Sequence, residues 1–283
     1  MSQIRSISQI IQPQTVIEGA GVKLRRSIAP SRQNPFDPFL LFDHFAFNDP
    51  LEGTNPGFPM HPHRGIETIT YVLQGDVEHG DSMGNRGVIS PGDVQWMTSG
   101  RGIMHEEMPR RSPDGNIYGF QLWVNLPAKL KMTAPRYQEV SAETIPVTES
   151  DGASIRVVAG EVNGVRGPVT EIAADPLYLE VALEPGAVFT YPVPADHTAI
   201  AYVFEGRGEF APGETVEAVT MVVFGEGDAI SVRADPQTGV RFMLIAGAPI
   251  NEPTVPYGPF VMNTVEEIQQ ALSDLRNGTF GQS

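Results

Sequence analysis

The chain contains no cysteine. Disulfide frameworks, thiolate metal sites and cysteine nucleophiles are therefore excluded, and the expected location is cytoplasmic. No apolar run approaches the ~20 residues that a membrane-spanning helix needs. The N-terminal stretch MSQIRSISQIIQPQTVIEG also lacks the apolar centre of a secretion signal, so no membrane association is expected. Basic charge is scarce and unevenly spread: residues 1–140 carry 13 basic and 14 acidic groups, whereas residues 141–283 carry 6 and 20. A surface so acidic repels a phosphate backbone, which argues against direct nucleic-acid binding. The short basic runs Lys23-Leu24-Arg25-Arg26 and Arg110-Arg111 read as solvated loop charges.

Glycine and proline, by contrast, are plentiful, with 29 and 25 residues. They punctuate short β-branched runs. Ile66 to Leu73 reads as a strand that ends at Gln74-Gly75-Asp76, and further strands fit Gly87 to Ile89, Val94 to Met97 and Gly119 to Asn125. Short strands at this cadence predict an all-β sandwich or barrel. Pro127 to Asp151 reads as a connector. One helix is expected near the C-terminus, where Thr264-Val265-Glu266-Glu267 forms a capping-box pattern. Val265, Ile268, Leu272 and Leu275 follow on one face, and Asn277-Gly278 is a stop signal.

Three of the six histidines lie in two short motifs, His61-Pro62-His63 and His105-Glu106-Glu107. Alternate side chains of a strand share a face, so His61 pairs with His63 and His105 with Glu107. Two such strands facing across a barrel interior would offer three imidazoles and one carboxylate to a single metal ion. Imidazole suits several transition metals and one hard oxygen shifts the balance toward iron or manganese; Fe(II) is the first choice, with Mn, Ni, Cu or Zn as alternatives. Four protein ligands leave room for water, dioxygen or a chelating substrate. Met60, Met97, Met104 and Trp96 flank these segments and read as barrel core, with an apolar pocket lining as the other reading.

A faint internal repeat lays Tyr71-Val72-Leu73-Gln74-Gly75 on Tyr202-Val203-Phe204-Glu205-Gly206, and Pro91-Gly92-Asp93 on Glu226-Gly227-Asp228, with offsets of 131 and 135. The same offsets put Pro192 and Pro194 at the places of His61 and His63, and Val240 and Phe242 at those of His105 and Glu107. The second copy is therefore expected to bind no metal in this way.

With these motifs in hand, the chain resembles the cupin superfamily and, within it, the pirins. The phrases that carry the resemblance run nearly end to end: Leu40-Leu41-Phe42-Asp43-His44-Phe45, Phe58 to Thr68, Gly100 to Glu107, and Pro256 to Thr264. The resemblance implies a monomer of two tandem cupin (jelly-roll) barrels with a C-terminal helix, divided into a metal-binding barrel (1–135) and a degenerate barrel (136–283). It places the metal ligands on His61, His63, His105 and Glu107. Many other cupins draw their carboxylate from the position of Glu67; the pirin pattern assigns that role to Glu107 and leaves Glu67 to orient a histidine. His44, His79 and His197 are not expected to be ligands.

The resemblance implies two functions. One is a dioxygenase of the quercetin 2,3-dioxygenase type, acting on a flavonol or related enediol with dioxygen, with Glu107 as ligand and catalytic base. The other is an iron-binding, redox-responsive regulatory protein of the transcriptional co-regulator type, acting through a protein partner that the acidic half would suit if basic.

Overall fold

The computed structural model describes residues 2–47 and 57–282. In chain order the first twelve strands are β1 (Ile7–Ile11), β2 (Gln14–Glu18), β3 (Val22–Ile28), β4 (Phe39–Phe47), β5 (Phe58–His63), β6 (Ile66–Gln74), β7 (Asp76–Asp81), β8 (Arg86–Ile89), β9 (Val94–Thr98), β10 (Ile103–Arg110), β11 (Ile117–Asn125) and β12 (Arg136–Val140). The strands expected from the β-branched runs at 66, 87, 94 and 119 are all present.

Among the described residues the chain is all-β apart from short 3-10 turns and one helix, α1 (Val265–Asn277), and it forms two cupin domains. Its two compact units are not contiguous halves. One comprises Gln14–Ala142 with Ile250–Ser283, and the other Met1–Pro13 with Glu143–Pro249. They differ from a division at 135/136 because terminal segments pair across the sequence. β1 adds to the edge strand Thr220–Phe224 of the second barrel. The expected connector contains β12, which pairs with the edge strand β9 of the first barrel. Each segment covers backbone groups that an open sheet edge would leave exposed.

In the first barrel the larger sheet has the order β12-β9-β6-β11-β4-β3-β2 and the smaller one β5-β10-β7-β8. Inward residues of β3, β4, β6 and β11 meet those of β5, β7 and β10 around one cavity of about 550 Å³.

The second barrel repeats this plan with a solid interior. Phe189, Phe210 and Phe242 are buried there, with ring centroids 5.2 Å apart for Phe210 and Phe242. The sequence repeat holds at its first phrase: Tyr71 and Tyr202 are both buried, and Gly75 and Gly206 both turn with positive φ, 74° and 68°. Its second phrase is displaced by one turn. The contact that Gly92 N makes to Val72 O at 2.7 Å is made in the second barrel by Val219 N to Val203 O at 2.9 Å, not by the Glu226-Gly227-Asp228 turn. The strand paired with Val188–Pro192 is Ala229–Ala234, and Pro192 lies opposite Ala229. Val240–Gly247 instead takes the central place of β11, between Thr198–Ala211 and Leu177–Leu183. Val240 and Phe242 are therefore not the counterparts of His105 and Glu107. The offset drifts because the turns at 82–85 and 90–93 contract to 212–213 and 218–219.

Candidate metal centre

The two histidine motifs lie on hydrogen-bonded neighbours rather than on opposite walls. β5 and β10 run antiparallel with His105 directly across from His61 and Ile103 across from His63. Neighbouring strands bring side chains on one face to about 5 Å. The ring centroids follow: 4.3 Å for His61 and His105, 4.9 Å for His61 and His63, and 5.0 Å for His63 and His105. One nitrogen from each ring lies within 4.8 Å of the others, the only such group of three His, Asp or Glu side chains among the described residues.

The hydrogen bonds fix what these nitrogens can do. His61 Nδ1 faces Pro59 O at 3.0 Å and His63 Nδ1 faces Pro259 O at 3.2 Å. A carbonyl oxygen only accepts, so both Nδ1 atoms carry the hydrogen and, in neutral rings, both Nε2 atoms are bare. Those two Nε2 atoms are 3.1 Å apart. Two lone pairs at that distance repel each other unless a cation lies between them. Two nitrogens about 2.1 Å from one metal and at right angles would be about 3.0 Å apart, so the spacing fits a shared ion. His105 adds a second sign: it is 2 % exposed, and neither ring nitrogen has a hydrogen-bond partner.

Burial keeps the His63 and His105 rings neutral. The His63 imidazole is pushed well below the usual range by desolvation and then by His105 and His61. His105 is lowered to about 3 by desolvation, with His61 and His79 adding to it. Neutral imidazole is the form that binds a metal.

Glu107 projects on the same face of β10 as His105. Its Oε2 stands 4.0 Å from His105 Nε2, and its Oε1 accepts from Thr70 Oγ1 at 3.1 Å. Thr70 Oγ1 also lies 2.8 Å from Gln121 Oε1. Burial pushes the Glu107 carboxyl up from its usual range, opposed by His61, Thr70 and His79. The carboxylate thus borders the tight three-histidine group. Glu67 is also buried and accepts from Thr98 Oγ1 at 2.8 Å.

His44 is packed between the rings of Tyr118 and Phe120 and lowered to about 3 by burial and Arg25. His79 pairs with Glu139 at 3.1 Å. Of the flanking apolar residues, Trp96 and Met97 are core while Met60 is exposed. The aromatic wall of the cavity is instead Trp123, which meets the His63 ring edge-on at 5.0 Å, with Phe45 and Phe58. On the same sheet as Trp123 and Phe45 sits a polar patch, in which Arg26 holds Asp43 through two bonds of 2.8 and 2.7 Å and Glu18 through one of 2.7 Å. Period-two alternation from Leu24 to Arg26 and from Leu41 to Asp43 was the available signal for that patch. Pro259 carried none, because it acts through its backbone.

The family model described as Pirin matches residues 21–124, and that described as Pirin C-terminal cupin domain matches 178–281. A pirin-like protein of Caulobacter vibrioides is 46 % identical over 279 residues, covering 98 % of this chain and 99 % of its own. Human pirin is 43 % identical over 269 residues, covering 93 % of this chain and 90 % of its own. Among solved structures, a quercetin 2,3-dioxygenase from Acinetobacter baumannii superposes with a TM-score of 0.89 at 35 % identity, covering 99 % of both chains.

Proposed function

The chain belongs to the pirin family, and from that premise we propose that it is an iron-dependent dioxygenase acting on quercetin or a related flavonol or enediol. His61, His63, His105 and Glu107 would hold the metal. The observation that carries this reading is the facing pair of bare Nε2 atoms at 3.1 Å beside the unpartnered His105 ring, which leaves a place for a cation at the edge of an open cavity. The similarity to a quercetin 2,3-dioxygenase supports the reaction class.

A bound Fe(II) would supply Lewis acidity toward the substrate's enediol oxygens and a redox partner for dioxygen. The protein's own contribution is position and proton transfer. Trp123, Leu41, Phe45 and Phe58 offer an apolar slot for a flat ring system. Glu107, raised by burial, is poised to take the proton of the substrate hydroxyl. Thr70 fixes one carboxylate oxygen, so the other faces the histidines.

The test is anaerobic loading with Fe(II), followed by oxygen uptake on adding quercetin. Uptake well above a His105→Ala control is expected; equal traces reject the dioxygenase reading.

A second reading keeps the metal and replaces turnover with regulation through a basic protein partner. It is favoured by the charge asymmetry of the chain, with 6 basic and 20 acidic groups in residues 141–283. Capture of partners from cell extract on ferrous and ferric protein tests it, and identical profiles count against a redox switch.

A further inference from the structure

We propose that the C-terminal segment, from Val255 to Phe280, is a positioning element of the metal centre, and that Arg64 is the residue through which it is locked. This rests on the metal reading of the three imidazoles and adds what holds them in register. The segment reaches the centre directly, since Pro259 O accepts the hydrogen on His63 Nδ1. That contact decides the tautomer and leaves Nε2 as the donor atom. A backbone carbonyl can do this only if the hairpin of strands Val255–Tyr257 and Phe260–Met262 is fixed against the end of β5.

Four contacts fix it. Val261 N donates to Arg64 O at 3.1 Å, one residue beyond His63. Gly65 lets the two backbones touch: a Cβ there would stand 2.2 Å from Val261 O. Lys131, 1 % exposed, donates from Nζ to Gly65 O at 2.9 Å and to Val261 O at 2.7 Å, clamping both sides of that approach. Helix α1 packs behind the hairpin, with Ile268 and Ala271 against Phe260 and Met262.

Arg64 ties these parts to both ligand strands. It directly follows His63 of β5, and its Nε donates to Arg101 O at 2.6 Å, in the turn that leads into β10 and His105. Its Nη1 donates to Asp274 Oδ2 of α1 at 2.7 Å, and the guanidinium lies 4.6 Å from the Phe280 ring centroid. Phe280 also packs on Gly102, where a Cβ would meet the ring at 2.8 Å. Arg101 Nε donates to Gly281 O at 3.2 Å. A planar fork with donors in two directions is needed for this junction, which a lysine cannot supply. Loosening the helix side of the junction frees the hairpin, and with it the carbonyl that sets His63.

The test uses the full chain stripped of metal. Fe(II) affinity is measured anaerobically by competition with a chelator, and the tautomer of His63 is read from its ring ¹⁵N shifts in the metal-free protein. Circular dichroism confirms that each variant is folded at the working temperature. Asp274→Ala and Phe280→Ala are expected to weaken Fe(II) binding about tenfold or more, the range seen when the partner of a ligating histidine is lost. His63 should change from a single Nδ1-protonated form to a mixture. Asp274→Glu and Phe280→Tyr should restore both readouts, whereas Arg64→Lys should resemble the alanine variants.

Alanine variants that bind Fe(II) as tightly as the wild type, or that weaken binding with the His63 tautomer unchanged, overturn the positioning role while leaving the metal reading intact. A wild-type chain that takes up no metal overturns both.

Discussion

At the scale of single residues, the depressed histidine values set the sign of the acid response. An unfolded histidine titrates near 6.5, and folded His105 near 3, with His63 displaced the same way. Between these values the unfolded chain holds protons that the folded one does not, so stability is complete above about 6.5 and is lost as pH falls toward 3. The urea midpoint of metal-free protein should therefore drop between pH 7 and pH 5, and His105→Gln should flatten that slope. A wild-type midpoint constant across this range would contradict the neutral-histidine assignment. Thr70 has the opposite leverage on Glu107, since its hydroxyl opposes the upward push of burial. In Thr70→Val the carboxyl should rise further, moving the acid limb of oxygen uptake to higher pH, because a base must be ionised to act. An unmoved limb would remove Glu107 from the role of base. The clustering of His61, His63 and His105 was legible in the sequence because period-two spacing is local. Pro259 was not, because its contribution is a carbonyl brought 196 residues along the chain to His63.

At the scale of elements, local signals and non-local pairings had different legibility. The helix was readable to its ends: Thr264 accepts from Glu267 N, the Glu267 side chain returns to the cap, and Gly278 closes the helix with φ 69°. Its buried face was shifted, since Ala271 is buried with Ile268 while Val265 is 41 % exposed. The strand pairing of the second barrel was less readable, because shortened turns changed the offset between copies. Where two backbones touch, glycine becomes an element-level requirement. Gly65 has φ +82° and its Cβ would clash with Val261 O, whereas Gly84 has φ +92° and open space around it. Gly84→Ala should cost only the left-handed penalty, about 1 kcal/mol. Gly65→Ala should cost about 2–4 kcal/mol, because the clash adds to it. Urea unfolding of the two variants measures the difference, and equal losses would mean that the hairpin does not press on β5.

At the scale of the whole molecule, the units are assembled from separated stretches of chain, and this makes a contiguous cut informative. A fragment of residues 1–135 lacks β12, which covers the edge of β9, and it lacks the hairpin and α1, whose Val261 packs on Leu40 and Ile66 and whose Pro259 carbonyl accepts from His63. It keeps β1, whose partner strand Thr220–Phe224 is missing. An uncovered edge and an uncovered apolar face favour association over folding. A polypeptide that joins residues 14–142 to 250–283 through a flexible Gly/Ser linker restores each of these contacts and omits only the other unit. Both tryptophans, Trp96 and Trp123, lie within the stretch common to the two polypeptides, so their fluorescence reports the first barrel in either. The joined polypeptide should unfold in urea in a single cooperative transition and bind Fe(II), whereas fragment 1–135 should show no sigmoidal transition and should aggregate. A cooperative transition in fragment 1–135 with the midpoint of the intact chain would mean that the barrel needs neither β12 nor the C-terminal segment, and that the contiguous division at 135/136 is the physical one.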